Sequence, residues 1–119
     1  MNKVILLGYV ASDPSEKVFG NETKCVNIPL KTRDFYGTKG DKKVDKNFHN
    51  LILWNGISEK AMEIVHKGDI LQVIGRLKNK KVQDPASNKF YFKTEVVVEE
   101  WTKIFVDDSS EDLDETTED

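Results

Sequence analysis

The sequence has 119 residues and a net charge of -3, a length that fits one domain with a modest core. No apolar stretch is long enough to span a membrane, because the early run from Val4 to Leu7 is broken at Gly8, and no signal peptide is recognisable. We therefore expect a soluble intracellular protein. The single cysteine, Cys25, excludes an internal disulfide and a cysteine-rich metal site.

The charge is unevenly distributed along the chain. Residues 107–119 contain eight of the 21 acidic residues and no basic one, which leaves 18 basic and 13 acidic residues, a net charge of +5, in residues 1–106. Blocks of like charge stay solvated and often serve as interaction tails. We therefore predict a basic folded domain over 1–106 and an acidic, disordered tail over 107–119. A basic domain favours a polyanionic partner.

Strand signals dominate the first half of the chain. Segments rich in β-branched, aromatic and alternating apolar residues, bounded by turn residues, predict strands over 3–10, 16–19, 25–32 and 47–54. The segment 37–46 between the last two is polar, rich in lysine and punctuated by glycine. It is predicted to be a loop.

One helix and two strands are predicted for the second half. Apolar residues from Ile57 to Val65 recur at helical spacing, with Ser58 as a cap and Gly68 as the C-terminal stop. Alternating residues predict strands over 70–82 and 90–98, and the second can extend to Val106. The short segment 16–19 aside, the order is three strands, a helix and two strands.

This order matches the partly open, five-stranded barrel called the OB-fold, in which the helix lies between strands three and four. We therefore predict an all-β protein: a five-stranded OB-fold barrel with one short helix, followed by the acidic tail. A doubly wound α/β fold would need strands and helices to alternate throughout, and this chain has one helix.

The residue pattern does not favour an enzyme. The two histidines, His49 and His66, form no His-x-x-x-His pair, and no glycine-rich phosphate loop, nucleophile elbow or Cys–His arrangement occurs. The densest group of carboxylates lies in the predicted tail, where no catalytic geometry can be held. We expect no catalytic residue, no metal site and no cofactor.

Aromatic and basic side chains are instead interleaved. Proteins that bind single strands combine a positive groove that follows the phosphates with aromatic faces on which bases stack. Stacking works for every base, so we predict binding of a single nucleic acid strand with little sequence preference. These residues leave both DNA and RNA open, since only contacts to the 2′-hydroxyl distinguish them. The binding residues predicted from this pattern are Lys31, Arg33, Phe35, Tyr36, Lys42, Lys43, Phe48, Trp54, Lys78, Lys80, Lys81 and Tyr91.

Five segments resemble the bacterial and bacteriophage single-stranded DNA-binding proteins of the replication machinery, over about residues 1–100. They are Met1 to Gly8 with Asp13-Pro14, Phe48 to Trp54, Lys67-Gly68-Asp69, Gly75-Arg76-Leu77 and Thr94 to Val98. The resemblance implies base stacking on Tyr36, Phe48 and Trp54 and phosphate contacts from Lys67 and Lys81. It also implies a homotetramer with His49 near a subunit contact, and a role in DNA replication, recombination or repair in the bacterial cytoplasm.

The sequence departs from this family at two places. The family stacks a base on a tryptophan near the tip of the last hairpin, where this sequence has Val82, with Phe90 or Tyr91 as the available substitutes. The family's acidic tail closes with an apolar tip that partner proteins recognise, whereas here the only large apolar tail residue is Leu113. Three roles stay open for the tail: recruitment of replication or recombination proteins, solubilisation, and competition with DNA for the basic groove. The altered tip favours a phage- or plasmid-encoded version.

A second function class also stays open. An OB-fold interaction module of a replisome or primosome would hold protein partners and contact nucleic acid only incidentally. A tight protein partner, with an affinity for single strands below that for duplex, would distinguish this alternative.

Overall fold

The computed structural model of the protein describes residues 1–106. In this part of the chain six strands and one helix follow one another. Their bounds are β1 (Val4–Val10), β2 (Ser15–Val18), β3 (Lys24–Thr38), β4 (Asp41–Trp54), α1 (Gly56–Ile64), β5 (Ile70–Gln83) and β6 (Phe90–Ile104). The predicted acidic tail, 107–119, lies outside the described residues.

Five of the strands close into a barrel. The sheet order is β1-β5-β6-β4-β3-β2, and an additional pairing of β1 with β3 closes the ring. Closure depends on the register that places Tyr9 opposite Lys31 and Val10 opposite Leu30. β2 pairs only with β3, so it lies outside the ring. The predicted OB-fold barrel, with its helix between the third and fourth barrel strands, is confirmed.

The core lies inside the barrel and is formed by every second residue of its strands. This alternation follows from the two-residue period of β-strands, which sends successive side chains to opposite faces. α1 covers one end of the barrel through Ala61, and Val65 just after the helix joins the same core. The buried apolar residues are Val10, Val26, Ile28, Leu30, Leu51, Leu53, Ala61, Val65, Leu71, Val73, Val96 and Val98. Side chains on the opposite strand face point away from the core, and we call this the outer face.

The prediction of a loop over 37–46 is wrong, because this segment forms the distal part of the β3–β4 hairpin. β3 and β4 pair without interruption down to Thr38 opposite Asp41, which leaves a two-residue connection. Gly37 has a φ of 105°, and a Cβ there would lie 2.2 Å from the Asp41 carbonyl oxygen. Glycine at position 37 therefore permits the close approach of β3 and β4, and it does not mark the end of a strand.

The helix is where the sequence predicted it, but its ends differ. Ser58 lies buried within the first turn and donates its hydroxyl to the Asn55 carbonyl, and the N-cap is Asn55, with a φ of 49°. The helix ends at Ile64, before Gly68, whose φ of 93° belongs to the turn that leads into β5. Within residues 1–106, no helix is long and apolar enough to cross a membrane.

Candidate nucleic-acid interface

The β3–β4 hairpin separates its charges by face. Its cross-strand register places Lys31 opposite Phe48 and Arg33 opposite Lys46. All four lie on the outer face, because Leu30 and Thr32 on either side of Lys31 are buried and the alternation of faces continues along the ribbon. Phe35 continues this row and is 73% exposed. From Lys31 to Trp54, a stretch that the structure describes completely, the outer face carries no acidic residue.

The opposite face of the same hairpin has a different character. Asp34 and Asp45 lie directly opposite each other, a like-charge pairing that is unfavourable for a sheet. Tyr36 is paired with Lys43 on this face, and the Lys43 ammonium lies 3.9 Å from a carboxylate oxygen of Asp41. The structure therefore places two predicted binding residues, Tyr36 and Lys43, on the other side of the ribbon from the remaining ones.

At its barrel end, the outer face of β4 carries a stacked aromatic pair. The rings of Trp54 and Phe19 have centroids 6.0 Å apart and an interplanar angle of 24°. Phe48 lies six residues earlier on the same face of β4, as predicted. Both Phe48 and Trp54 keep an exposed surface that a base can cover.

The β5–β6 hairpin also divides its predicted residues between two faces. Lys78 lies opposite Glu95, and Tyr91 opposite Val82, on the outer face. Lys81 lies on the other face, with its ammonium 4.3 Å from the centroid of the Phe90 ring, a cation–π contact. Lys80 lies between the outer residues Lys78 and Val82 and shares their face.

The two hairpins share one continuous outer surface where β4 meets β6. Ile52 and Val97 are paired across this parallel junction, and Val97 is in turn opposite Arg76 of β5. Although both apolar side chains belong to the outer face, they are buried. They form an apolar floor between the two hairpins, and the hairpins' exposed aromatic and basic side chains lie on either side of it.

One predicted residue is separated from this surface. Lys67 lies in the turn between α1 and β5, where its backbone N–H donates to the Asp13 carboxylate at 2.7 Å. This turn lies before Ile70, the first residue of β5, whereas the tip of the β5–β6 hairpin lies after Gln83, the last residue of β5. Lys67 therefore lies at the end of the barrel away from the hairpin tips.

Several residues of the outer face were not singled out from the sequence. Lys46, Arg76 and Lys93 share it with the predicted lysines, and the two-residue alternation along their strands could have revealed them once the hairpins were known. Tyr9 joins them through β1: its ring lies 5.2 Å from the Arg33 guanidinium carbon. Phe19 is brought to Trp54 because β2 and β4 both pair with β3. The turn residues 20–23 indicate the β2–β3 hairpin, but no pattern within one β-strand reveals that β4 lies on the other side of β3.

The thiol of Cys25 lies on the same face and is unsuited to nucleophilic chemistry. Burial raises its pKa, and the Glu95 carboxylate raises it further, while Lys80 and Lys17 partly oppose this effect. A raised pKa keeps the thiol protonated at neutral pH. Among residues 1–106, no group of three His, Cys, Asp or Glu side chains could hold a metal ion.

The fold and this surface define a class of protein: an OB-fold barrel with an outer face of exposed aromatic and basic side chains, as in barrels that bind nucleic acid strands. The model of the single-strand binding protein family matches residues 1–104. The chain belongs to the single-strand binding protein family.

Two solved structures share the fold. Plasmodium falciparum SSB in complex with ssDNA is 23% identical, with a TM-score of 0.78, and the match covers 90% of this chain and 96% of that one. A deletion mutant of the single-stranded DNA binding protein from Thermus aquaticus is 19% identical, with a TM-score of 0.77 and 88% of this chain covered. The match covers 51% of the Thermus aquaticus chain, so this chain spans about half of that length.

Proposed function

We propose that the protein binds and coats single-stranded DNA with little sequence preference, through the outer face of its two hairpins. The observation that carries this proposal is the facial separation of charge on the β3–β4 hairpin. Most aromatic and basic residues of the hairpin share the outer face, whereas all its acidic residues, together with Tyr36 and Lys43, lie on the other. Membership of the single-strand binding protein family and the strand-bound Plasmodium falciparum relative support the same function.

Bases would stack on the exposed rings of the outer face. Phe35, Phe48 and Trp54 supply these rings on the first hairpin and Tyr91 on the second. Each stacked base contributes about 1–3 kcal/mol, and stacking accepts any base because every base has a π-face. Low sequence preference is therefore the expected behaviour.

Phosphates would be neutralised by the basic side chains between these rings. Neutralising a phosphate releases a counterion, so affinity for a single strand falls by about 0.7 log units per log unit of salt for each contact. We assign this role to the outer-face residues Lys31, Arg33, Lys42, Lys46, Arg76, Lys78, Lys80 and Lys93.

We also propose that the protein is a homo-oligomer, with a tetramer as the expected form. β1 pairs with β5 along Val4 to Tyr9 but with β3 only at Tyr9 and Val10, so one edge of its first half has no strand partner among residues 1–106. Ile5 and Leu7 on its outer face are more than half exposed. An unpaired edge beside exposed apolar side chains favours pairing with another copy.

The biological setting follows from the proposed activity. We infer that the protein coats single strands in DNA replication, recombination or repair inside a bacterial cell, encoded by a phage, a plasmid or the chromosome. The charge of residues 107–119 suits them to contact basic partners, either replication or recombination proteins or the protein's own DNA-binding face.

Intrinsic tryptophan fluorescence tests the proposed function. Trp54 lies on the outer face, where a bound strand would quench it, whereas Trp101 packs beside the core and donates its indole N–H to the Ile57 carbonyl. The full chain is titrated with oligo-dT and with duplex of equal length at two salt concentrations. Quenching by oligo-dT that weakens with salt, and none by duplex, supports single-strand binding. Absence of any salt-dependent binding would favour the interaction-module alternative.

A further inference from the structure

The turn between β2 and β3 carries an aromatic residue that the barrel core does not use. Phe19 follows the last residue of β2, outside the closed ring, and it is absent from the core cluster. Its ring instead stacks on Trp54, and each of the two side chains is 38% exposed. A large exposed aromatic pair of this kind is a surface on which a planar ligand can stack.

A shallow concavity of about 290 Å³ lies beside this pair, lined by Phe19, Asn21, Thr23 and Trp54. Its volume is at the lower limit of small-molecule sites, which suits a single base with its sugar. The Oδ1 of Asn21 accepts a hydrogen bond from the Thr23 N–H at 3.3 Å. With Oδ1 engaged, Asn21 offers its amide N–H groups to an acceptor on a base edge.

Backbone hydrogen bonds hold the turn in this shape. The Phe19 N–H donates to the Thr23 carbonyl at 2.8 Å, and the Glu22 N–H donates to the Phe19 carbonyl at 3.0 Å. Asn55 anchors the start of β3 by accepting the Lys24 N–H on its side-chain oxygen at 3.1 Å. A site that is already ordered loses less conformational entropy when a ligand binds.

Positive charge lies where a phosphate would follow the base. The Lys17 ammonium is 5.4 Å from the centroid of the Phe19 ring. Lys17 is the cross-strand partner of Cys25, which is in turn the partner of Trp54, so the three share the outer face. The carboxylate of Glu22 lines a different depression, together with Glu59.

We propose that the β2–β3 turn extends the Trp54 stacking position into a subsite for one unpaired nucleobase, which stacks on the Phe19–Trp54 pair, with the adjoining phosphate beside Lys17. This proposal rests on the proposed single-strand binding and extends its path from the β4 rings onto the β2–β3 turn. The ligand class is one nucleotide of a single strand.

Photocrosslinking and affinity measurements on the full chain test the subsite. Oligo-dT containing 5-iododeoxyuridine is irradiated with the protein, and crosslinked peptides are mapped by mass spectrometry. We expect crosslinks at Phe19 as well as at Trp54. We also expect Phe19→Ala to weaken oligo-dT binding at least about fivefold, the lower end of what one stacked base contributes. Lys17→Gln should lower the salt slope by about 0.7.

Phe105→Ala provides the matched control, because Phe105 is also an exposed phenylalanine beside a lysine, Lys103, but follows the end of β6. This variant should bind as the wild type does. Oligo-dT binding and Trp54 crosslinks in the wild type, together with no Phe19 crosslink and unchanged affinity of Phe19→Ala, would overturn the subsite and leave the proposed function standing. Absence of oligo-dT binding by the wild type would overturn both.

Discussion

Lys31 on β3 and Phe48 on β4 are direct cross-strand partners on the outer face of the barrel. The pair places a positive charge beside an exposed aromatic ring, the combination that holds a phosphate and its base together. The next outer pair along the ribbon is Arg33 and Lys46, and Phe35 follows. A strand lying along this face would therefore meet aromatic and basic groups in succession.

Phe48→Ala should weaken binding of oligo-dT by about 1–3 kcal/mol, with similar losses for oligo-dA and oligo-dC, because stacking does not depend on base identity. The matched control is Phe92→Ala. Phe92 is 69% exposed and Phe48 is 68% exposed, but Phe92 lies on the face of its hairpin opposite to Tyr91. Fluorescence anisotropy of labelled oligonucleotides measures both variants. Equal losses in the two would contradict the assignment of the outer face.

Gly75→Ala should destabilise the fold by about 2 kcal/mol or more, because a Cβ at Gly75 would lie 2.2 Å from the Val97 carbonyl oxygen. The position coincides with a register shift between β5 and β6 at Ile74 and Gly75. Gly40→Ala is the control, since its added methyl would meet nothing within 4 Å. Urea unfolding followed by circular dichroism compares the two. A Gly75→Ala variant as stable as Gly40→Ala would contradict the close approach of the two strands.

Stability should depend on pH through Asp69, whose carboxylate lies 3.2 Å from the Lys103 ammonium. Burial alone would raise its pKa, but the His66 N–H and Lys103 outweigh this effect and hold the pKa below its usual range. A carboxyl group with a lowered pKa in the folded state stabilises the protein above its unfolded pKa of about 3.9, and this contribution is lost as the pH falls through the folded value.

The variant that tests this dependence is Asp69→Asn. We expect a loss on the order of 1 kcal/mol at pH 7, since the pair is partly solvated. The difference from wild type should begin to shrink below about pH 4, where the carboxylate becomes protonated in the unfolded state, and it should shrink further as the pH falls towards the lower pKa of the folded state. Urea titrations at pH 7 and pH 3 measure this change. An equal difference at both pH values would show that the charge of Asp69 is not involved.

Deleting residues 107–119 should raise the affinity for oligo-dT at low salt and have little effect at high salt. The deletion removes eight acidic residues and no basic ones, and a tethered polyanion has a high local concentration near the DNA-binding face. Replacing the eight acidic residues by Asn and Gln in the full-length chain separates charge from length. Unchanged low-salt affinity in both variants would contradict competition by the tail.

Much of the barrel could be predicted from the sequence, because its core follows a strict alternation. Val26, Ile28 and Leu30 lie two residues apart and are all buried. The same period correctly placed Phe48 and Trp54 on one face. Long-range pairing was not needed for these predictions, since each depends on residues within one strand.

The hairpin over 37–46 could not be predicted, because lysine, aspartate and glycine are depleted in strands and typical of loops. Its ribbon exists because each residue finds a cross-strand partner, as Phe35 does in Val44. A loop has no defined faces, so the sequence does not separate Tyr36 and Lys43 from Phe35 and Lys42, whose side chains lie on the other face of the hairpin. The Phe19–Trp54 contact likewise depends on strand pairing and not on local pattern.

The most direct test of the outer-face assignment compares two lysines on one strand. Lys46 and Lys43 are three residues apart on β4, both are exposed, and they point to opposite faces of the hairpin. Lys46→Gln and Lys43→Gln make the same change of charge on opposite faces of the hairpin, although Lys43 also lies near the Asp41 carboxylate. The salt dependence of oligo-dT affinity is measured for each. The account predicts that Lys46→Gln lowers the salt slope by about 0.7 and that Lys43→Gln leaves it unchanged. A slope lowered by Lys43→Gln as much as or more than by Lys46→Gln would contradict it.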